Sequence, residues 1–399
     1  MRCASVVPSL KGETPLPSSV SSFRAPDWVP SISSGGRAVL DHLLRTGGAS
    51  QASLSQVLDL SQPSVARLVG TFHAAGIVAL SERTPGVRGH PSVQVTLAPD
   101  YAFAIGVTLV GDAVGMTILD LAGKVRGART IGLSDMAPVS VLEALRTLKT
   151  ALIAEAGIDP ARIIGAGAGV SGFLVPGEPS RFNPPTQLAG WASLDVAAAL
   201  GAALTLPMLS ENDGTAATVA EGLVGVGRTC RNFGYCHLTN GFGGGLTVDG
   251  RVVQGRLGNA GDFGGVLWLL GGLYPSLDTL HASVRAAGGP DEGVEAMVRR
   301  VCLDTPGVAQ WVREAAKSIG QLAFLLGHMV ASEKVVIGGR LPAPIAAALA
   351  RETILPATPM RNDMPFPLPA VVPTEVPGDA VGIGAAMLPL RKAFFLEQG

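Results

Sequence analysis

Between residues 102 and 133 three apolar runs, AFAIGVTLV (102–110), AVGMTILDL (113–121) and KVRGARTIGL (124–133), are separated only by the dipeptides Gly111-Asp112 and Ala122-Gly123. Two-residue connections are too short for a crossover, so these strands must be antiparallel neighbours in one sheet. The pattern then changes to a helical period over 139–156, an apolar strand IIGAGAGV (163–170), a helix over 193–204 and the strand PMLS (207–210). Strands joined through helices pair in parallel. The succession begins again with FGYCHLT (233–239) and GGLTVDGRVVQG (244–255) as strand and hairpin. Helix 309–331, strand KVVIGG (334–339), a helix, strand AVVP (370–373) and a closing helix from Asp379 complete it. A meander feeding an αβ alternation, given twice, predicts an α/β chain of two lobes with a ligand cleft between them.

At 399 residues the chain exceeds what one core organises, and 47% hydrophobic with 15% charged residues and 52 glycines suits a turn-rich α/β protein rather than a disordered one. The net charge of −1 divides unevenly, into +3 for residues 1–98 and −4 for the rest. A basic front end is compatible with a polyanionic partner. Cys3, Cys230, Cys236 and Cys302 form no close CxxC pair, so neither disulfides nor a zinc site are expected, and no cofactor is predicted. No uncharged apolar run is long enough to span a membrane, and the expected location is cytoplasmic.

The first 30 residues, rich in Ser and Pro without period, read as a flexible arm. Three helical stripes follow, of which ASLSQVLDLSQPSVARLVGTFHAAGIV (52–78) has helix-turn-helix spacing. Ser61 is placed as N-cap of the second helix and Pro63 in its first turn. Leu54, Val57, Leu60, Val65 and Leu68 are expected to pack the helices together, and Asp59 to take the left-handed turn position. That leaves Ser61, Gln62, Ser64 and Arg67 for bases and phosphates. SERTPGVRGHPSVQVTLAPD (81–100) reads as a β-hairpin wing carrying Arg83, Arg88 and His90 toward the same DNA. A helical hairpin with no DNA role has the same apolar pattern; the basic wing speaks against it.

VSGFLVPG (170–177), AGW (189–191), ENDGTAATVAEGLVGVGR (211–228), NGFGGGLTVDGRV (240–252), GNAGDFGG (258–265) and VIGGRL (336–341), with SQPSVARLV, resemble in order and spacing the ROK family of repressors, open reading frames and sugar kinases. The resemblance covers roughly 31–390 and is to the repressor branch, of xylose and N-acetylglucosamine type. It implies an N-terminal winged helix-turn-helix followed by an actin-like, sugar-kinase-like two-lobed α/β domain. The corresponding division is an arm (1–30), a DNA-binding domain (31–98), a first lobe (99–211 with 379–399) and a second lobe (212–378).

By this resemblance Asn212 and Asp213 bind sugar hydroxyls, Asp213 standing where kinase members keep their general base, with Asn183 and Asp262 beside them. Both Asn212 and Asp213 also suit a helix cap, and the glycines at 241 and 243–245 suit a hairpin corner. Kinase members carry Asp-x-Gly-Gly-Thr-Lys in the first strand pair. Here Thr108 replaces the carboxylate, Val110 a glycine, and Asp112 sets a negative charge where phosphate approaches. The zinc-site His and cysteines are replaced by Gly265 and VLWLLGGLYPSLDTL. The expected protein is therefore not an enzyme, with Asp213 a vestigial base. It is a transcriptional regulator, read as a repressor, that binds a double-stranded operator as a homodimer or tetramer and answers to a sugar or sugar-derived effector. A ROK-type sugar kinase with an appended DNA-binding domain is the alternative.

Overall fold

The computed structural model describes residues 23–81, 93–358 and 364–396. Helices α1 (Ser34–Thr46), α2 (Gln51–Val57) and α3 (Gln62–Ala74) are accompanied by a small sheet of β1 (Ala49–Ser50), between α1 and α2, and β2 (Val78–Ser81) and β3 (Gln94–Leu97), after α3, in the order β1-β3-β2. This is the N-terminal winged helix-turn-helix. Asp59 adopts φ 51, the left-handed turn its short polar side chain tolerates. Leu54 and Val65 are buried in the helix junction, but Val57 is 59% exposed, a correction to its expected core place. It is the last residue of α2, at the point where the chain turns away from the junction.

The first large sheet contains β4 (Phe103–Val110), β5 (Ala113–Asp120) and β6 (Val125–Gly132) as the expected meander. After α4 (Pro138–Ala156) come β7 (Ile163–Val170), the small hairpin β8 (Phe173–Leu174) with β9 (Phe182–Asn183), α5 (Val196–Leu204) and β10 (Met208–Asn212). The order is β10-β7-β4-β5-β6, parallel across the first three strands. Buried along its whole length, β4 is covered on both faces. Ile105, Val107 and Leu109 join the core that contains residues of α4 and α5. The alternate residue Gly106 lies under the last helix, α12 (Ala380–Phe394), so closely that a Cβ there would meet the Gly382 carbonyl oxygen at 1.8 Å.

From β10 the chain passes directly into α6 (Asp213–Val224) and then into the second sheet. That sheet comprises β11 (Phe233–Leu238), β12 (Phe242–Val248), β13 (Arg251–Val252), β14 (Lys334–Gly339) and β15 (Ala370–Pro373), in the order β13-β12-β11-β14-β15. Helices α7 (Phe263–Leu270), α8 (Leu277–Ala286), α9 (Val294–Arg300), α10 (Val308–Val330) and α11 (Ala343–Glu352) accompany it. The first three of these helices occupy a stretch in which the sequence reading placed none. Together the two sheets and their helices form the two-lobed, actin-like α/β fold.

One core runs from Val39, Leu40 and Leu54 of the N-terminal helices to Met387, Leu390 and Phe394 of α12. The guanidinium of Arg37 in α1 donates to the carbonyl oxygens of Arg391 (3.2 Å), Lys392 (3.2 Å) and Phe395 (2.8 Å). These are the acceptors a helix leaves unpaired at its C-terminus, where a positive charge is favourable. At the other end Asp379 caps α12, accepting from the Gly382 amide (3.1 Å). One helix thus connects the helix-turn-helix to the region between the sheets.

Candidate functional site

Helix α6 begins where β10 ends, at the carboxyl edge of the parallel strands, the edge along which open α/β sheets bind ligands. Register places Glu211 beside Gly169 and Asn212 beside Val170, so Ser171 and Gly172 approach the start of α6. Asn212 is the N-cap: its carbonyl oxygen accepts from the Thr215 amide (3.0 Å). Its two amide hydrogens go to the Gly172 carbonyl (2.9 Å) and the Asp213 carboxylate (3.1 Å). Asn212 therefore combines capping with the orientation of its neighbour. The Asp213 carboxylate, 6% exposed, accepts from the Gly214 amide (2.8 Å) and from the Ser171 hydroxyl (2.5 Å).

A cavity of about 620 Å³ opens in front of this carboxylate, lined by Asn183, Asn212, Asp213 and Asp262 together with His237, Asn240 and Asp278. Its size is that of a small-molecule site. All four residues read from the sequence as ligand-binding are thus brought to one wall. Asn183 is exposed at the end of β9; Asp262 caps α7, accepting from the Gly264 amide (3.2 Å).

Three further residues were not assigned to the site from the sequence, although Asn240 opens the run NGFGGGLTVDGRV. His237 lies in the middle strand of the second sheet, 2% exposed, with its Nε2 atom 3.7 Å from the Asp213 carboxylate. Burial pushes its pKa down, the Asp213 and Asp379 charges acting in the opposite sense. In the strand run FGYCHL it looked like one more core position; only the fold reveals that alternation turns it to the cleft. Asn240 and Asp278 are joined by a hydrogen bond (3.2 Å), and burial raises the Asp278 pKa.

At the β4–β5 turn the protein's own charged side chains pair with one another. Asp112, expected to present its charge to an incoming phosphate, instead pairs with Arg340 (3.0 Å), which also binds Glu295 and the Asn240 side chain (3.3 Å). Arg340 follows β14, so this cluster ties the β4–β5 turn to the opposite lobe. Repulsion of an anion by Asp112 alone is thereby corrected: its charge is neutralised by Arg340. Gly111, at φ 43, abuts Asn240 so closely that a Cβ would stand 2.3 Å from its Oδ1 atom. Thr108 does not merely lack a carboxylate. Its hydroxyl donates to Asp379 (2.5 Å) at the start of α12.

At the N-terminus, Ser61 caps α3, its hydroxyl accepting from the Ser64 amide (3.3 Å) and lying 2.9 Å from the Ser64 hydroxyl. Ser61, Gln62 and Arg67 are exposed on the first turns, and Ser64 is half-buried. Arg83, Arg88 and His90 lie outside the described residues, between the paired strands β2 and β3. Among the described residues no cluster of His, Cys, Asp or Glu could hold a metal ion, and no helix is long and apolar enough to cross a membrane.

Residues 104–269 match the model of the ROK family. An uncharacterized protein of Sinorhizobium fredii, y4fQ, is 27% identical over 371 residues, 92% of this chain and 93% of that protein. The xylose repressor of Bacillus spizizenii is 21% identical over 228 residues, 57% of this chain and 59% of the repressor. A solved structure described as a ROK family transcriptional regulator, homolog of the E. coli MLC protein, superposes with a TM-score of 0.63 at 20% identity, over 90% of this chain and 96% of that one. A ROK family glucokinase from Streptomyces griseus, solved with glucose and AMPPNP, gives 0.54 at 21% identity, over 72% and 99%. Repressors and sugar kinases are thus both among the relatives.

Proposed function

We propose that this chain, which carries a ROK family domain, is a DNA-binding transcriptional regulator, acting as a repressor, whose cleft takes a sugar or sugar-derived effector and performs no phosphoryl transfer. The observation that carries this reading is the division of the cleft. The side around Asp213 is a cavity with polar walls, while at the β4–β5 turn, where the kinase hairpin motif is missing, Asp112 is paired with Arg340, which also binds Glu295 and Asn240. A carboxylate and hydroxyl-bearing walls supply acceptors and donors for adjacent hydroxyls of a polyol.

The DNA-reading half of the proposal rests on α3, whose capped first turn exposes Gln62 and Arg67 where major-groove contacts are made. Arg83, Arg88 and His90, outside the described residues, are proposed to add contacts to the same DNA. Helix α12 joins the two halves, from Asp379 at the cleft to the Arg37 contacts at the helix-turn-helix. An effector that favours one arrangement of the lobes then moves the DNA readers of a homodimer or tetramer, with a coupling of about 1–3 kcal/mol. The domain division in this reading is 31–98 for DNA, 99–211 with 379–399 for one lobe and 212–378 for the other. Operator binding measured with and without a panel of sugars tests it: affinity must change with at least one of them.

Asp213 at the position of a base, in a chain with kinase relatives, favours the alternative of a sugar kinase. ADP release across common hexoses discriminates the two. Turnover that is abolished by Asp213→Asn would replace the regulator reading with the kinase one.

A further inference from the structure

The charge inside the cleft narrows the ligand further than its shape does. Asp213, Asp262 and Asp278 all line the cavity, and among the lining residues there is no Lys or Arg. Arg340, the guanidinium at the rim, is engaged by Asp112 and Glu295 and is not part of the wall. His237 lines the same cavity at 2% exposure, and neither of its ring nitrogens has a hydrogen-bond partner. A buried polar group without a partner is uncommon and calls for a ligand or an ordered solvent molecule. Burial holds the ring in its neutral form, against the pull of Asp213 and Asp379 and with that of Arg340, so it does not supply the missing positive charge. It offers one donor and one acceptor instead.

An occupant therefore meets three carboxylates and a neutral imidazole. We propose that the cleft recognises an aminated sugar, a polyhydroxy ring bearing a protonated amine, and discriminates against phosphorylated and carboxylated sugars. The positive charge of the ammonium is favoured by the combined field of the Asp213, Asp262 and Asp278 carboxylates, and a ring hydroxyl pairs with His237. A phosphate or carboxylate in the same place meets like charge with no counter-ion in the wall, an arrangement that rejects wrong ligands rather than attracting right ones. This inference rests on the polyol-binding reading of the cleft and specifies its ligand class.

Matched pairs separate the two. Binding of glucosamine, galactosamine and mannosamine to the full chain is measured against glucose, galactose and mannose, with glucose 6-phosphate and glucuronate alongside. At least one amine is expected to bind about tenfold more tightly than its hydroxyl parent, equivalent to about 1.4 kcal/mol. Asp262→Asn with Asp278→Asn, which keep side-chain size, should weaken the amine more than its parent sugar and so bring the preference toward one. His237→Gln should weaken the amine and its parent alike. Parent sugars binding as tightly as the amines, or the phosphate binding more tightly, would overturn the amine preference and leave the polyol reading standing. No binding by any of these sugars would overturn both.

Discussion

The two halves of the cleft are built from the same kinds of residue and reach opposite outcomes. Around Asp213, polar groups converge on a cavity and leave the His237 ring nitrogens without a hydrogen-bond partner in the protein. Around Asp112, polar groups converge on each other, Arg340 satisfying Asp112, Glu295 and Asn240 at once. A polar wall that is incomplete without a ligand is a binding surface. One whose charges are already paired is a structural joint, and opening it costs the pairs it contains.

The comparison is most severely tested by returning the carboxylate that the β4 strand lacks. Thr108→Asp sets a second carboxylate against Asp379, which accepts from the Thr108 hydroxyl at 2.5 Å. At an effective dielectric near 20 the repulsion is about 4 kcal/mol, measurable by denaturant unfolding, and it should shrink as lower pH protonates one partner. Kinase turnover from a stable Thr108→Asp variant would break the comparison. Next in size, Asp213→Asn removes the charged acceptor of the ligand half. Loss of about 2 kcal/mol in sugar binding is expected, read by calorimetry, with little change in unliganded stability because the amide oxygen can still accept from Gly214 while its NH2 donates to the Ser171 hydroxyl.

Arg340→Ala leaves Asp112 and Glu295 facing each other across the joint. With Arg340 largely buried, a loss of about 2 kcal/mol is expected, between the worth of an exposed pair and of a buried one. Unfolding measures it, and the variant should still bind no nucleotide, since two unpaired carboxylates repel phosphate. The smallest effect concerns Glu211, at the rim of the ligand half. Burial pushes its pKa from 4.5 up to about 7, against hydrogen bonds from the Asn212 amide and Gln254. Because the folded form binds the proton more tightly, this group's contribution is complete below pH 4.5 and lost as pH rises through about 7. Glu211→Gln should flatten that decline, by about 1 kcal/mol for a half-buried group, visible as a melting temperature less dependent on pH.

Much of this architecture is legible in the chain. The two-residue turns force the meander, β7 and β14 occupy the spans their apolar runs predict, and Asp59 takes the left-handed turn. Local patterns suffice where a segment's periodicity and its turns agree. The segment of α7, α8 and α9 escaped because its apolar run, VLWLLGGLYP, is broken by glycines and a proline while its caps, Asp262 and Ser276, are single residues. Long-range pairing was out of reach for the same reason in every case. Arg340 meets a residue 228 positions away, and Thr108 one 271 positions away. His237 was hidden inside a strand whose two faces cannot be told apart until the helices that cover them are placed.

The proposed cleft takes a polyol and not a nucleotide, and calorimetric titration of magnesium-ATP into the full chain tests this most directly. No saturable heat is predicted, with or without a bound sugar. Saturable binding of magnesium-ATP to the full chain would contradict it.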